Sequence, residues 1–462
     1  MGKGRAPGRG GHSRRRGLAS TTDPRSAAIT LFLEWDRTGL PADALLDRLL
    51  DSIPDGRDRA LAAELVHGVF RWRGRLDWHL QSLVHRPLKE LSPAILWVLR
   101  LGLYQAEHLD RIPVHAMVHS SVELARDFGN PGAAGLVNAV LRKAPDRLAT
   151  AREPDASEDP VGHLEARASH PAWMLRRWLE AFGFRKTMAI AAAGNRKPSL
   201  TLRVASKRVD PQEIERQLAE AGIPAERGEF LPEAIRLPGG WHPIVEDITG
   251  AGHAVVQDES AGLVAHVARP EPGLRILDVC AAPGGKGTHL ASLCGDSPMV
   301  AADISPGRAR FVEASVAALG LRNTRVIVAD GTRPVTDGGF DRVLVDAPCS
   351  NTGVLGRRSD ARWRRGPDAI VRLVELQGRL LEASRSQVGP GGILVYSTCS
   401  LEPEENDGVV ASYLDRHPED RLLPAGEVLP EEVVDGDFYR TDPSRLPLDG
   451  AFAAAILPGG KA

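Results

Sequence analysis

The sequence predicts a multidomain protein: an all-α helical bundle, a small α+β module, then a doubly wound α/β domain. Three observations carry this. Residues 23–150 show helical spacing of apolar residues throughout. Leu274 to His289 reads as strand, glycine turn and helix, the way such sheets present backbone N–H groups to a nucleotide-like ligand. From Leu274 to Leu457, strand-like and helix-like runs alternate, as in a mostly parallel sheet covered on both faces. At 462 residues the chain is too long for one ordinary core, and 42% hydrophobic with 26% charged residues is a globular, soluble composition.

Taken in order, residues 1–22 carry Lys3, Arg5, Arg9, Arg14, Arg15 and Arg16 and no acid. They read as a disordered basic tail, serving solubility or attraction to phosphate. No apolar stretch follows, so no secretory signal is expected, and no run of about 18 apolar residues predicts a membrane span. In the bundle, Ala62, Leu65, Val66, Val69 and Phe70 share one helical face, and Leu136, Val137, Val140 and Leu141 another. Pro87, Pro93, Pro113 and Pro131 punctuate roughly six or seven helices. Trp72 and Trp78 bracket Arg73 and Arg75; this is either an RNA-contacting surface or buried Trp beside solvated Arg.

Residues 151–168 read as a linker rich in Asp, Glu, Pro and Ala. In the 169–250 module, His170 before Pro171 reads as a helix-entry residue rather than a ligand. A strand over Leu200–Val204, a helix over Pro211–Ala221 and a strand over Ile235–Leu237 follow, an accessory RNA platform. The α/β domain takes residues 251–462. Its strand-like runs end at Asp278, Asp303, Asp330, Asp346 and Cys399, where one ligand crevice must form.

The 58 basic and 60 acidic side chains leave a net charge of −2, which does not exclude nucleic acid because local distribution matters more. The four cysteines, Cys280, Cys294, Cys349 and Cys399, lack zinc spacing and are too few for a disulfide scaffold. No metal is expected, and a reducing cytoplasm is.

The glycine loop Pro283-Gly284-Gly285-Lys286 is neither G-x-G-x-x-G nor a P-loop, since Gly287 follows the Lys. With Asp303 placed to take ribose hydroxyls and Asp330-Gly331 to face an adenine amino group, it still suits an adenosine-containing ligand. Asp346-Ala347-Pro348-Cys349 and Thr398-Cys399-Ser400 put two thiols at neighbouring strand ends. Free cysteine is commonly just a small buried apolar residue; a pair beside an Asp suggests chemistry. A pyrimidine explains the set: carbon 5 of cytosine accepts a methyl group only after a thiolate adds at carbon 6. A carboxyl then serves ring nitrogen 3, and a base assists release. In that scheme one cysteine attacks, a second assists release, and Asp346 holds the base.

Asp278-Val279-Cys280-Ala281-Ala282-Pro283-Gly284-Gly285-Lys286, Asp346-Ala347-Pro348-Cys349-Ser350 and Tyr396-Ser397-Thr398-Cys399-Ser400 resemble the motifs of the RsmB (Sun/Fmu) family of ribosomal RNA cytosine-5 methyltransferases. Glu402-Pro403-Glu404-Glu405-Asn406 continues the last motif. Ile112 to Ala116 and Leu136 to Lys143 resemble the NusB-like RNA-binding domain that precedes it. The resemblance implies a Rossmann-like class I methyltransferase domain that uses S-adenosyl-L-methionine. It implies Cys399 as nucleophile, Cys349 as releasing residue, and Cys280, Ala281, Ala282, Pro283, Gly284, Gly285, Lys286, Asp303, Asp330 and Asp346 as cofactor residues. It further implies small-subunit ribosomal RNA as substrate. Arg357, Arg358, Arg362, Trp363, Arg364 and Arg365 follow the first cysteine motif, and Arg357, Arg358, Arg362 and Trp363 are expected to contact RNA, with the target base unpaired or flipped out. A monomer is expected. Two rivals remain: an RNA-binding assembly factor with a vestigial methyltransferase fold, and a DNA cytosine methyltransferase, for which Cys399 is dispensable.

Overall fold

The computed structural model describes residues 22–459 except 206 and 296. The basic tail expected over 1–22 lies, but for Thr22, outside the described residues. Two compact units divide the chain between Ser169 and His170.

The first unit is helical: α1 (Pro24–Thr38), α2 (Ala42–Leu50), α3 (Gly56–Leu83), α4 (Pro93–His108), α5 (Val114–Phe128), α6 (Ala133–Leu141), α7 (Ala144–Thr150) and α8 (Pro160–Ala168). Local chemistry starts these helices. Asp23 and Asp55 accept backbone N–H groups at the open ends of α1 and α3, and Pro24 and Pro93 occupy first-turn positions where no N–H is needed. The core is aromatic: Phe32 stacks on Trp97 at 4.5 Å, and Phe70 meets both edge-on.

The arginines beside Trp72 and Trp78 are not a solvated face. The Arg73 guanidinium lies 5.3 Å from the Trp97 ring, and burial with Arg100 nearby lowers it to about 10. Arg75 donates to Glu107 at 2.5 Å, to Glu153 at 3.0 Å and to the Ala166 carbonyl at 2.9 Å. These bonds tie α3 to α4 and to α8. The stretch read as a linker therefore ends in a packed helix. Asp159 caps it, Pro160 opens it, and Leu164 is 0% exposed; Asp-Pro before a short apolar pattern was a helix start inside a polar composition.

The second unit holds two sheets. The smaller has antiparallel strands β1 (Leu200–Val204), β2 (Glu226–Arg227), β3 (Ala234–Leu237) and β4 (Ala254–Val256) in the order β2-β3-β1-β4. It packs with α10 (Pro211–Glu220) and α11 (Ile244–Gly250), and is preceded in the chain by α9 (Ala172–Asn195), which breaks at Gly183. Strand β4 lies beyond residue 250, where the module was expected to end, because it pairs with β1.

After α12 (Glu259–Val267) the larger sheet begins. In chain order it adds β5 (Ile276–Asp278), α13 (Gly285–Leu293), β6 (Met299–Asp303), α14 (Pro306–Leu319), β7 (Thr324–Val328), β8 (Phe340–Asp346), α15 (Ala361–Arg364), α16 (Asp368–Arg385) and β9 (Val388–Thr398). It closes with α17 (Asp407–Arg416), β10 (Arg421–Leu423), β11 (Val434–Asp435), β12 (Phe438–Thr441) and β13 (Ala451–Leu457). The order is β11-β12-β13-β9-β8-β5-β6-β7, with β5 to β9 mutually parallel and β13 antiparallel to β9. The chain runs outward from β5 to β7, then returns to β8 on the other side of β5. That reversal is the switch point at which such sheets open a crevice.

Leu164→Ala should lower the stability of the helical unit by about 2–5 kcal/mol, read as an earlier thermal transition in the full chain. An unchanged melt would show that α8 contributes nothing to the bundle.

Candidate active site

At the switch point, β5 ends in Asp278 and the chain turns through Cys280–Gly284 into α13. Gly284 sits at φ 109, a left-handed conformation that suits a residue without Cβ. The loop is pinned over the end of β6. Ala281 N–H donates to the Ala302 carbonyl at 2.9 Å, Ala282 N–H to Asp303 Oδ2 at 3.3 Å, and Arg308 to the Ala282 carbonyl at 2.7 Å. Asp278 is fully buried, accepts the Cys280 and Gly287 N–H groups, and is pushed up to about 7 by burial and by Asp346. Its Oδ1 has no hydrogen-bond partner among the described residues. Burial also pushes the Cys280 thiol far up, helped by Asp278, which unsuits it as a nucleophile.

Beside this loop, Lys286 Nζ binds Asp346 Oδ2 at 2.7 Å, and Ser397 Oγ donates to Asp346 Oδ1 at 3.0 Å. Burial opposes the Lys286 charge, but the Asp346 carboxylate outweighs it and raises the ammonium.

The two cysteines meet here, with Cys349 Sγ 3.2 Å from Cys399 Sγ. The Cys349 hydrogen bond lowers Cys399, with Lys286 and Arg358 helping against burial. The same bond and burial raise Cys349 well above the usual thiol range. Cys399 is thus the sulfur disposed to carry negative charge, and Cys349 the one disposed to keep a proton. The loops behind them touch closely: Gly353 N–H donates to the Cys399 carbonyl at 2.9 Å, and a Cβ on Gly353 would collide with that oxygen and with Gly450.

Residues 265–457 match the family model of the 16S rRNA methyltransferases RsmB/F. Residues 22–146 match the NusB family, and residues 170–242 the ferredoxin-like domain of RsmF/B-like methyltransferases. A relative from Yersinia pestis, named ribosomal RNA small subunit methyltransferase B, is 35% identical over 435 residues, covering 91% of this chain and 99% of its own. The chain belongs to the RsmB/F methyltransferase family. Among solved structures, PH0851 shares the fold with TM-score 0.80 at 24% identity, covering 96% of this chain and 100% of its own. A methyltransferase homolog from Pyrococcus horikoshii reaches TM-score 0.54 at 29% identity, covering 63% of this chain and 96% of its own.

As in its family, the enzyme is an S-adenosylmethionine-dependent methyltransferase. The residues at the switch point fit that cofactor: the buried, unmet Asp278 Oδ1 is an acceptor awaiting a donor or a cation, and the loop leads straight into a helix N-terminus. Asp303 closes the far side. Asp330 is exposed just beyond β7 and accepts the Thr332 N–H and hydroxyl on Oδ1, while Gly331 packs on Val279 beside the loop.

Two expected RNA contacts need correction. Arg362 is 0% exposed and donates to Asn195 and to the Gly194 carbonyl, each at 2.8 Å. Arg357 donates to Asp258 at 2.6 Å, Asp449 at 2.5 Å and the Ser199 carbonyl at 2.8 Å. Both spend their donors inside the protein, where the sequence shows only a basic loop. Arg358 is exposed and donates to Asn351 Oδ1 at 3.3 Å; Trp363 is half-buried. His170 lies one residue before the Pro171 cap of α9, where a helix-entry residue belongs.

Sequence reasoning placed Glu405 in the motif after Cys399 but gave it no role; it is a buried carboxylate that binds Ser350 and Ser400. The repeated Cys-Ser pair at both strand ends was the available signal. Sequence reasoning missed a cluster in which Glu233, His266 and His289 each place one potential ligand atom within 4.8 Å of the others, drawn from separated segments with no motif spacing. The buried Arg203 cation faces Glu233 and His289, which disfavours a divalent ion there, and we assign no metal.

Asp303→Ala should weaken S-adenosylmethionine binding by about 10- to 100-fold in calorimetry, the scale of losing hydrogen bonds to a charged acceptor. Unchanged affinity would remove Asp303 from the cofactor site.

Proposed function

We propose that the chain methylates carbon 5 of a cytosine in RNA, most naturally small-subunit ribosomal RNA, through a covalent cysteine–cytosine intermediate. The observation that carries this reading is the 3.2 Å contact between Cys349 and Cys399 beside the Lys286–Asp346 pair. A site for methyl transfer to oxygen or nitrogen needs no thiol; a pyrimidine carbon needs one.

S-adenosylmethionine, when bound, supplies an electrophilic methyl group. Cys280 to Lys286, with Asp303, Asp330 and Asp346, would hold it. The Cys399 thiolate adds to carbon 6 of the cytosine. The electron pair of the 5,6 double bond moves into the ring, making carbon 5 nucleophilic. The Lys286–Asp346 pair sits where it can hydrogen-bond the polar edge of the ring and hold the charge that develops there. After methylation, carbon 5 gives its proton to a base, the carbon–sulfur bond breaks, and its electron pair returns to Cys399. Cys349, in contact with the departing sulfur, assists this release. Arg358 and Trp363 line the approach for the RNA strand, the target base being flipped out of any stack. The relative's name supports a ribosomal RNA substrate. We further infer that the protein acts on RNA in the cytoplasm as a monomer. Among the described residues no helix is long and apolar enough to cross a membrane.

Cys399→Ala should abolish methylation while S-adenosylmethionine binding persists. Cys349→Ala should instead accumulate a protein–RNA adduct that survives a denaturing gel. Full activity in Cys399→Ala would overturn the assignment and favour attack by Cys349, the pattern of DNA cytosine methyltransferases. Bisulfite sequencing of ribosomal RNA with and without the gene identifies the base, and an unchanged map would sink the substrate assignment.

A further inference from the structure

One carboxylate sits behind both thiols. Glu405, 0% exposed, accepts the Ser350 N–H at 2.9 Å and the Gln377 amide at 3.0 Å on Oε1. Its Oε2 accepts the Ser400 hydroxyl at 2.5 Å and also the Ser350 hydroxyl. Ser350 directly follows Cys349, and Ser400 directly follows Cys399. Gln377, from α16, also donates to the Pro348 carbonyl at 2.9 Å, on the other side of Cys349. The Tyr396 hydroxyl donates to the Glu405 carbonyl at 2.6 Å and so fixes Glu405 against β9. The carboxylate thus accepts from the serine that follows each cysteine, and the Ser350, Ser400 and Thr352 hydroxyls contact one another around it.

We propose that Glu405 is a positioning residue that sets the spacing of the two thiols and assigns the proton between them to Cys349. The inference rests on the thiol chemistry proposed above. A buried carboxylate costs desolvation, so it is held only where donors converge on it. Here the donors come from both loops, and removing it leaves buried N–H and O–H groups unmet.

The charge is placed asymmetrically. Cys349 feels Glu405 in addition to Cys399, Lys286, Arg365 and Tyr396. Cys399 feels the cations Lys286, Arg358 and Arg365 together with Asp346 and Cys349. Negative charge from Glu405 opposes a thiolate on Cys349, whereas Lys286 and Arg358 favour one on Cys399. Two sulfurs in contact cannot both ionise cheaply, so a bias on one decides the other. Glu405 touches neither substrate nor sulfur; it acts through Ser350, Ser400 and its field.

The test follows iodoacetamide alkylation of each cysteine against pH in the full chain, with peptide mapping by mass spectrometry. Wild type should lose Cys399 at lower pH than Cys349. In Glu405→Gln, the Cys349 profile should move down by roughly one pH unit, the scale of losing one nearby charge, and the gap should narrow. Methylation should fall roughly tenfold or more in kcat with S-adenosylmethionine affinity retained. Unchanged profiles for both thiols, or Cys349 reacting first in wild type, overturn the proposal. Should Glu405→Gln fail to melt cooperatively, Ser350→Ala serves. It removes one donor from the carboxylate, so the Cys349 profile should rise, and an unmoved profile overturns the proposal equally. These alkylation profiles need no RNA. Failure of the methyltransfer reading would show instead as an absent adduct in Cys349→Ala.

Discussion

The site depends on the parallel pairing of β8 with β9. Their register sets Asp346 opposite Ser397, so the chain leaves both strands side by side at the same edge of the sheet. Neighbouring strands lie about 4.8 Å apart, and a thiol a few residues beyond each end is then within reach of the other. A slip of this pairing would turn the strand ends and carry Cys349 and Cys399 to different faces. The 3.2 Å contact between the sulfurs is therefore a property of the sheet before it is a property of the loops. Asp346 gains from the same pairing, since Ser397 across the ladder holds its second oxygen and frees the first for Lys286.

Packing behind the crevice keeps that edge rigid. Arg362 grips the end of α9 through Asn195 and Gly194, and the buried Trp178 and the half-buried Arg177 of α9 bind Glu402 at the loop after Cys399. The helix thus holds the loop after each cysteine. Such internal arginines resemble binding residues in a sequence because the residue type is the same. What separates them is whether the donors are spent. Arg357 and Arg362 spend theirs on carbonyls and carboxylates, whereas Arg358 stays exposed at the mouth of the site.

Much of the larger sheet is readable because fully buried strands are short apolar runs that end in polar residues. Ile276-Leu277 before Asp278, and Val343 to Val345 before Asp346, are of this kind. Pro306 to Leu319 is readable as a helix from its Ser305 cap, its leading proline and its closing glycine. The helix over Pro160–Ala168 was hidden because charged residues outnumber its single deeply buried leucine, so composition outweighed its cap. Strand β4 was hidden because three residues carry too little pattern, and only the partner β1 makes them a strand.

By itself, the sequence determined the order of the layers, the glycine loop, the acids at strand ends and the presence of two thiols in matching Cys-Ser pairs. These are local, since periodicity, turn chemistry and residue type are properties of short stretches. The tertiary structure alone decided which groups meet: that one sulfur leans on the other, that Lys286 reaches Asp346, that Glu405 stands behind both loops, and that Arg362 points inward. Each of these joins residues tens of positions apart, and only chain folding and strand register determine such distances.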